Sequence, residues 1–418
     1  MAKFIDAPEK RVPVIKTIED FLKTQDENSM NRLMITFFKE LIEAKFFQLH
    51  PEIMPGDFFL LAADCVHTHT YEHPHHVDEE GCIDCPYCLK RIYNKDMIKE
   101  KVRWLHCTLV YCLVFFGHLK IPLYHYPIHA KQIIDCESES DDVHKQECEL
   151  VALKKPLPKI KEIFPRTDVV MLLDGLYANR PVIRLVNSLE FGYIIVRKSG
   201  NLPTLGKDCD GLAKLSNHKK NQTKISEQMV KKWRIKHRYE YFNSMDIGDK
   251  EGELKTNVLR FKEIREKIVK KTLKTHEYYC EWLASWKVSM KNCAFLSRLA
   301  RLRWEEEDVF NSVKTRGFKF EHDYSRDPRS FFNWHGLALF AFGIFELFRF
   351  SKAIKQEANT SRIALANILR AQLYERPTKE IFSECLSAER VQFRYCFDTE
   401  QRFYTKSEWP HDDWQKSG

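Results

Sequence analysis

Residues 58–66 read FFLLAADCV, an almost wholly apolar run that carries a single acid, Asp64. A run this short, bounded by Pro55 and Gly56 upstream, reads as a strand with both faces buried. Downstream, residues 102–116 (VRWLHCTLVYCLVFF) and 121–129 (IPLYHYPIH) are rich in Val, Leu, Tyr and Phe, and they read as two further strands. A helix is expected over 147–163, bent by its Lys-Pro-Leu-Pro stretch. A fully apolar strand follows at 169–173 (VVMLL), closing at Asp174, then a helix over 180–189 and a strand at 193–197 (YIIVR). Three antiparallel-type strands followed by alternating helices and strands predict an α/β fold, a mixed sheet with helices on both faces. Asp64 and Asp174 each close a buried strand. A carboxylate there is costly unless it faces a cleft or a cation; the alternative is that each acid marks where its strand reaches solvent.

The chain has 418 residues, 44% hydrophobic and 13% aromatic, which excludes global disorder. Only 14 residues are Gly, and neither G-x-G-x-x-G nor G-x-x-x-x-G-K-[ST] occurs, so no nucleotide cofactor is expected. Thirteen cysteines without an apolar leader point to a reducing, cytoplasmic setting. The longest apolar stretch, 331–348, is interrupted by Asn333, His335 and Glu346. It reads as a buried core helix, so no membrane is expected as a partner.

Residues 1–56 read as a helical N-terminal segment, with Ser29 capping a run to Phe47. Residues 200–291 form a basic, β-rich stretch. Within 214–291 there are 20 Lys+Arg against 10 Asp+Glu, a surplus of +10 that exceeds the +8 of the whole chain. Lys231, Lys232 and Arg234 alternate with aromatics there, a pattern suited to phosphate contact and base stacking, or to a solvated charged sheet. A long helix is expected over 292–316, and 351–418 reads as a polar helical tail.

Within 292–316, Arg303, Glu307 and Lys314 fall on one helix face. Taken alone they read as a weak surface ion-pair ladder. The surrounding sequence, from Arg303-Trp-Glu-Glu-Glu307 through Asn311 and Lys314 to Glu321-His322-Asp-Tyr324, resembles the C-terminal signature of DDE transposases of bacterial insertion sequences, in the branch marked by Tyr-x2-Arg-x3-Glu-x6-Lys. Ala300 stands where that signature has Tyr, which puts one DNA-end contact in doubt. Lys145-Gln-Glu-Cys-Glu149, Phe164-Pro165 and Leu172-Leu-Asp174-Gly-Leu-Tyr177-Ala-Asn179 resemble the same family's second acid segment, and Leu60-Leu-Ala-Ala-Asp64 its first. The resemblance covers about 57–350. It implies an RNase H-like catalytic domain (57–199 and 292–350) interrupted by the insertion at 200–291, with Asp64, Asp174 and Glu307 as catalytic acids. These would bind two Mg²⁺ ions, for which Mn²⁺ can substitute. Arg303, Lys314 and Asn311 would contact DNA. The implied activity is nicking at element ends and strand transfer into target DNA by a homodimer on double-stranded DNA, in the cytoplasm at the nucleoid. A transposase-derived DNA-binding protein without turnover is the alternative. Residues 1–56 and 351–418 are both candidates for end recognition.

Cys82-x2-Cys85-x2-Cys88 has a ligand-like pitch. His67, His69, His73, His75 and His76 lie upstream and His106 downstream. These thiols are either free or part of a structural Zn²⁺ site. The histidine run itself reads as a loop rimming the site or as a solvated turn.

Overall fold

The computed structural model describes residues 15–74, 85–93, 101–130, 149–215, 217, 222–248, 253–269, 272–316, 318, 320–322 and 324–350, with two short strands near the C-terminus. The chain divides into two compact units, 1–356 and 357–418. In the second, the described residues are Val391–Gln392 paired antiparallel with Tyr404–Thr405; the rest of the expected helical tail lies outside the described residues.

The first unit is built on one ten-stranded mixed sheet: β1 (Phe58–Tyr71), β2 (Leu89–Tyr93), β3 (Lys101–Val114), β4 (Lys120–Pro127), β5 (Asp168–Leu173), β6 (Gly192–Val196), β7 (Thr223–Val230), β8 (Trp233–Asp246), β9 (Lys255–Val269) and β10 (Thr272–Ala284). The order is β2-β3-β1-β5-β6-β10-β9-β8-β7, with β4 on the same edge of β3 as β2 but farther along it. The pairs β1–β5 and β5–β6 are parallel and the others antiparallel.

Side chains alternate across a strand, so β1 divides its residues between two cores. Leu61 and Ala63 lie in one core with Phe38 of α2 (Ser29–Glu43), Ile160 of α4 (Leu157–Ile163), Ile183 of α5 (Arg180–Ser188) and Leu205 of α6 (Pro203–Ala213). Leu60 and Ala62 face the opposite core. That core is filled by Leu296 and Leu299 of α7 (Cys293–Arg301), Val309 and Val313 of α8 (Trp304–Thr315), and Leu339 and Phe342 of α9 (Pro328–Phe350). Short helices α1 (Ile15–Thr24) and α3 (Phe46–Leu49) flank α2. The left-handed backbone of Lys45, φ 55°, breaks the N-terminal run before Phe47 is reached.

Three expectations need correction. The helix over 292–316 is two helices: Leu302 and Arg303 form a joint closed by short-range bonds (Leu302 amide to the Leu299 carbonyl, Glu305 amide to the Leu302 carbonyl, both 3.0 Å). The histidine run begins within a strand. β1 continues to Tyr71, with His67 opposite Cys107 and His69 opposite His106 across a bulge; His75 and His76 lie outside the described residues. The helix over 147–163 breaks at Pro156, which has no amide proton to continue the 149–154 turn. β2 and α6 were not anticipated at all.

The basic stretch is continuous with the sheet, because Trp282–Ala284 of β10 pair with Ile194–Val196 of β6. Buried ion pairs secure that seam: Arg197 to Glu281 at 2.6 Å and Arg260 to Glu281 at 2.9 Å. α9 is the one helix among the described residues long and apolar enough to cross a membrane. It packs on β4, α1 and α2, and Phe331, Phe332, Leu339 and Phe342 are buried. Gly336 is required where it crosses: a Cβ there would lie 2.5 Å from Met30 Cβ and 2.7 Å from His125 Nε2.

Candidate active site

Strand parity sets the site. Leu60 and Ala62 face the α7–α9 core, so Asp64, the next residue of that parity, faces the same way. Val170 and Leu172 of β5 face that core too, and Asp174 continues their parity. The parallel ladder ends on the Ala63–Leu173 pair, which leaves Asp64 and Asp174 side by side at its C-terminal end. Such a position, just past the carboxyl ends of parallel strands, opens onto the crevice where α/β sheets hold ligands. Asp174 also caps the turn Gly175–Tyr177, accepting from the Leu176 amide at 2.8 Å.

The joint between α7 and α8 brings Arg303 to this pair. Its guanidinium lies 3.6 Å from Asp64 and 2.5 Å from Glu307 one turn along α8. One cation thus holds two of the three acids, while the third is met by Lys198, whose Nζ is 3.5 Å from Asp174. Lys198 can lie there because Gly175 has no side chain: a Cβ would meet Lys198 Cγ at 2.7 Å. Burial and the neighbouring Asp174 push the Asp64 carboxyl up to about 6, with Glu307 adding to the shift; the Cys65 amide and Arg303 oppose it. The donors are all hard oxygens, which suit a divalent cation of the Mg²⁺ or Mn²⁺ class. Glu307 is drawn to Arg303 instead, and among the described residues the group whose metal-type ligand atoms lie within 4.8 Å of one another is Cys85, Cys88 and His106.

Three consecutive glutamates begin α8 and go to three places. Glu305 pairs with the buried Lys120 at 2.9 Å and with His118 at 2.6 Å. Glu306 is fully buried, and neither of its oxygens meets a full hydrogen-bond geometry among the described residues. Burial and then Asp64 push its carboxyl well above the usual range. Glu307 is half exposed and held by Arg303.

The other expected residues are spread out. Lys314 pairs with Glu321 at 2.9 Å, not with Glu307. Asn311, on the following turn of α8, accepts the Thr315 hydroxyl through its carbonyl at 2.6 Å. Lys231 and Lys232 form the two-residue turn between β7 and β8, with Lys231 left-handed at φ 56°. Arg234 bonds Glu227 across that hairpin. Cys85 and Cys88 lie together near His106, while Cys82 lies outside the described residues. Lys198 and Glu306 were missed from sequence. Lys198 has no motif around it, and Glu306 is masked by its two neighbours of the same type. No family model matches this chain, and no curated protein matches it.

Proposed function

We propose that the protein is a DDE-type transposase that cleaves DNA at element ends and transfers the freed 3′ strand into target DNA, using Asp64, Asp174 and Glu307 with divalent metal. The observation that carries this reading is the meeting of Asp64, at the end of its buried run, with Asp174 and the Arg303–Glu307 pair on one side of the sheet. An RNase H-like sheet, as implied by the resemblance, would carry its first acid on the first strand, its second after the fourth core strand and its third on a late helix. The strand order β4-β3-β1-β5-β6 and the position of α8 are compatible with that arrangement, and β7–β10 with an insertion before the third acid.

In this reading Asp64 and Asp174 would hold the metal through carboxylate oxygens, and Glu307 would join them on leaving Arg303. Divalent metal held there would activate the attacking oxygen and offset charge on the leaving 3′-oxygen. Arg303, released from Glu307, offers a guanidinium fork to the phosphate beside the scissile bond, and Lys198 a point charge. Lys314 can reach a second phosphate only by leaving Glu321. Two element ends call for two copies of the chain, and the setting would be the cytoplasmic nucleoid.

The test is Mg²⁺-dependent nicking of DNA carrying the inverted repeats that flank the gene. Asp174→Ala and Glu307→Gln should each lower nicking by roughly 100-fold or more, at or beyond the 10–100-fold that losing an outer-shell partner of a metal typically costs. Nicking by Asp174→Ala at the wild-type rate would dismiss the site. Joined strand-transfer products separate a transposase from an enzyme that only hydrolyses.

A further inference from the structure

The outer edge of the sheet holds a cluster that the proposed chemistry does not use. Just before β2 the chain makes a tight turn, Cys85-Pro-Tyr-Cys88, in which the Cys88 amide bonds back to the Cys85 carbonyl at 3.4 Å. The turn brings both sulfurs to one side. His106 arrives from β3, next to Leu105, the partner of Leu89 at the start of β2. Its Nε2 lies 3.4 Å from Cys85 Sγ and 3.1 Å from Cys88 Sγ. All three side chains are buried, and their ligand atoms lie within 4.8 Å of one another.

We propose that Cys85, Cys88 and His106 bind a structural zinc ion that staples the turn before β2 to β3. Zinc bonds of about 2.3 Å to sulfur and about 2.0 Å to nitrogen at a tetrahedral angle give sulfur–nitrogen edges of roughly 3.5 Å. The two observed separations fall within a few tenths of an ångström of that, so the ion fits with a small outward shift of the ligands. Two soft thiolates and an imidazole select Zn²⁺ over the Mg²⁺ class expected at the carboxylates. A thiol–disulfide role needs an accessible sulfur, and each of these is only 2% exposed.

The surroundings show what the ion would secure. Cys85, Tyr87 and Cys88 pack on Phe332 of α9, and the His106 ring meets Phe331 edge-on at 5.0 Å. The Tyr87 hydroxyl donates to Glu27, between α1 and α2, at 2.5 Å. β2 is a five-residue edge strand paired on one side, too short to hold itself in place. A metal bond from its first turn to β3 fixes the edge and, through Tyr87 and Phe332, the seat of the N-terminal helices. Metal binding to such a site is folding free energy.

The test is the metal content of the full chain, purified from zinc-sufficient culture without chelator. About one zinc per chain is expected, with at least a tenfold loss of zinc affinity in Cys85→Ser and in Cys88→Ser. Should those variants not fold, the wild-type chain still answers: stripped and reloaded with Co²⁺, it should show thiolate-to-cobalt charge-transfer absorption. Zinc-free chain that gives no such absorption on reloading overturns the proposal. So does a Cys85–Cys88 disulfide in chain prepared under reducing conditions, or zinc retained undiminished by both serine variants. Asp174→Ala should keep its full zinc, so the outcome is independent of the nicking assay.

Discussion

At the scale of single residues, Asp64 sets a conflict between stability and function. Its carboxyl rises from an ordinary 3.8 to about 6 in the folded chain. The folded state therefore holds a proton that the unfolded state has released, and stability from this group is present below pH 4 and lost as pH rises through 6. The shift corresponds to about 3 kcal/mol. Metal-free Asp64→Asn should accordingly be more stable than wild type at pH 7 by up to about that amount, with the gap closing toward pH 4. Urea melts in chelator at the two pH values check this. Comparing the two proteins cancels other groups that titrate nearby, such as His125, which burial holds down to about 3. Mg²⁺ should stabilise wild type and leave Asp64→Asn unchanged; an equal effect on both would remove Asp64 from the metal. The neighbouring pair on α8 gives a second check. Burial holds the Glu306 carboxyl well above the usual range, so Glu306→Gln, an uncharged isostere, should keep nicking within about threefold, whereas Glu307→Gln should not. Much of this was legible beforehand. The two strand-end acids could be found because an apolar run ending in a carboxylate is costly unless the charge has a use. Which of three consecutive glutamates points where could not, because that depends on how α8 is rotated against β1.

At the scale of elements, the α7–α8 joint decides the geometry, and a buried lysine holds it. Lys120, at the start of β4 and only 1% exposed, bonds both Glu305 and Asp308 on the first turns of α8, and Arg316 meets Asp308 again at 2.9 Å. Without Lys120, Glu305 keeps His118 and Asp308 keeps Arg316, both acids nearer solvent, so the loss falls below that of a fully buried pair, at about 2 kcal/mol. Lys120→Met should lower stability by about that much in a urea melt. Because α8 carries Glu307, nicking should fall as well, without loss of DNA binding. A melt indistinguishable from wild type would show that α8 is held by its apolar face alone. The joint was not visible in the sequence, where apolar spacing runs on from Leu296 to Val313 without Gly or Pro. The break comes from tertiary demand: α7 and α8 both pack on the sheet while Arg303 turns toward Asp64. The strand extension through His67 was hidden for a similar reason, since polar residues in a strand are acceptable once a neighbour such as β3 completes the ladder.

At the scale of the whole molecule, one sheet joins the carboxylate cleft to a cationic hairpin. Charge composition revealed the basic stretch but not its partition. Many of its cations are spent internally, as Lys236 on Glu266, Arg265 on Glu263 and Lys262 on Glu277. Lys231 and Lys232, at the β7–β8 turn, form no ion pair with a described residue, and exposed Met229 and Val230 flank them. The uncompensated charge therefore projects at a strand turn, where a phosphate backbone can be met without breaking an existing pair. Each phosphate neutralised releases counterions and contributes about 0.9 to the slope of log affinity against log salt. Lys231→Glu combined with Lys232→Glu should make that slope shallower by about 2 and weaken binding to all duplex sequences alike. Titrations of labelled duplex at several salt concentrations, with an element-end sequence and a scrambled one, measure both effects. A loss confined to the element-end duplex would instead make this hairpin a reader of bases. An unchanged slope would leave the +10 surplus of residues 214–291 as solvated charge, with the DNA held elsewhere on the chain.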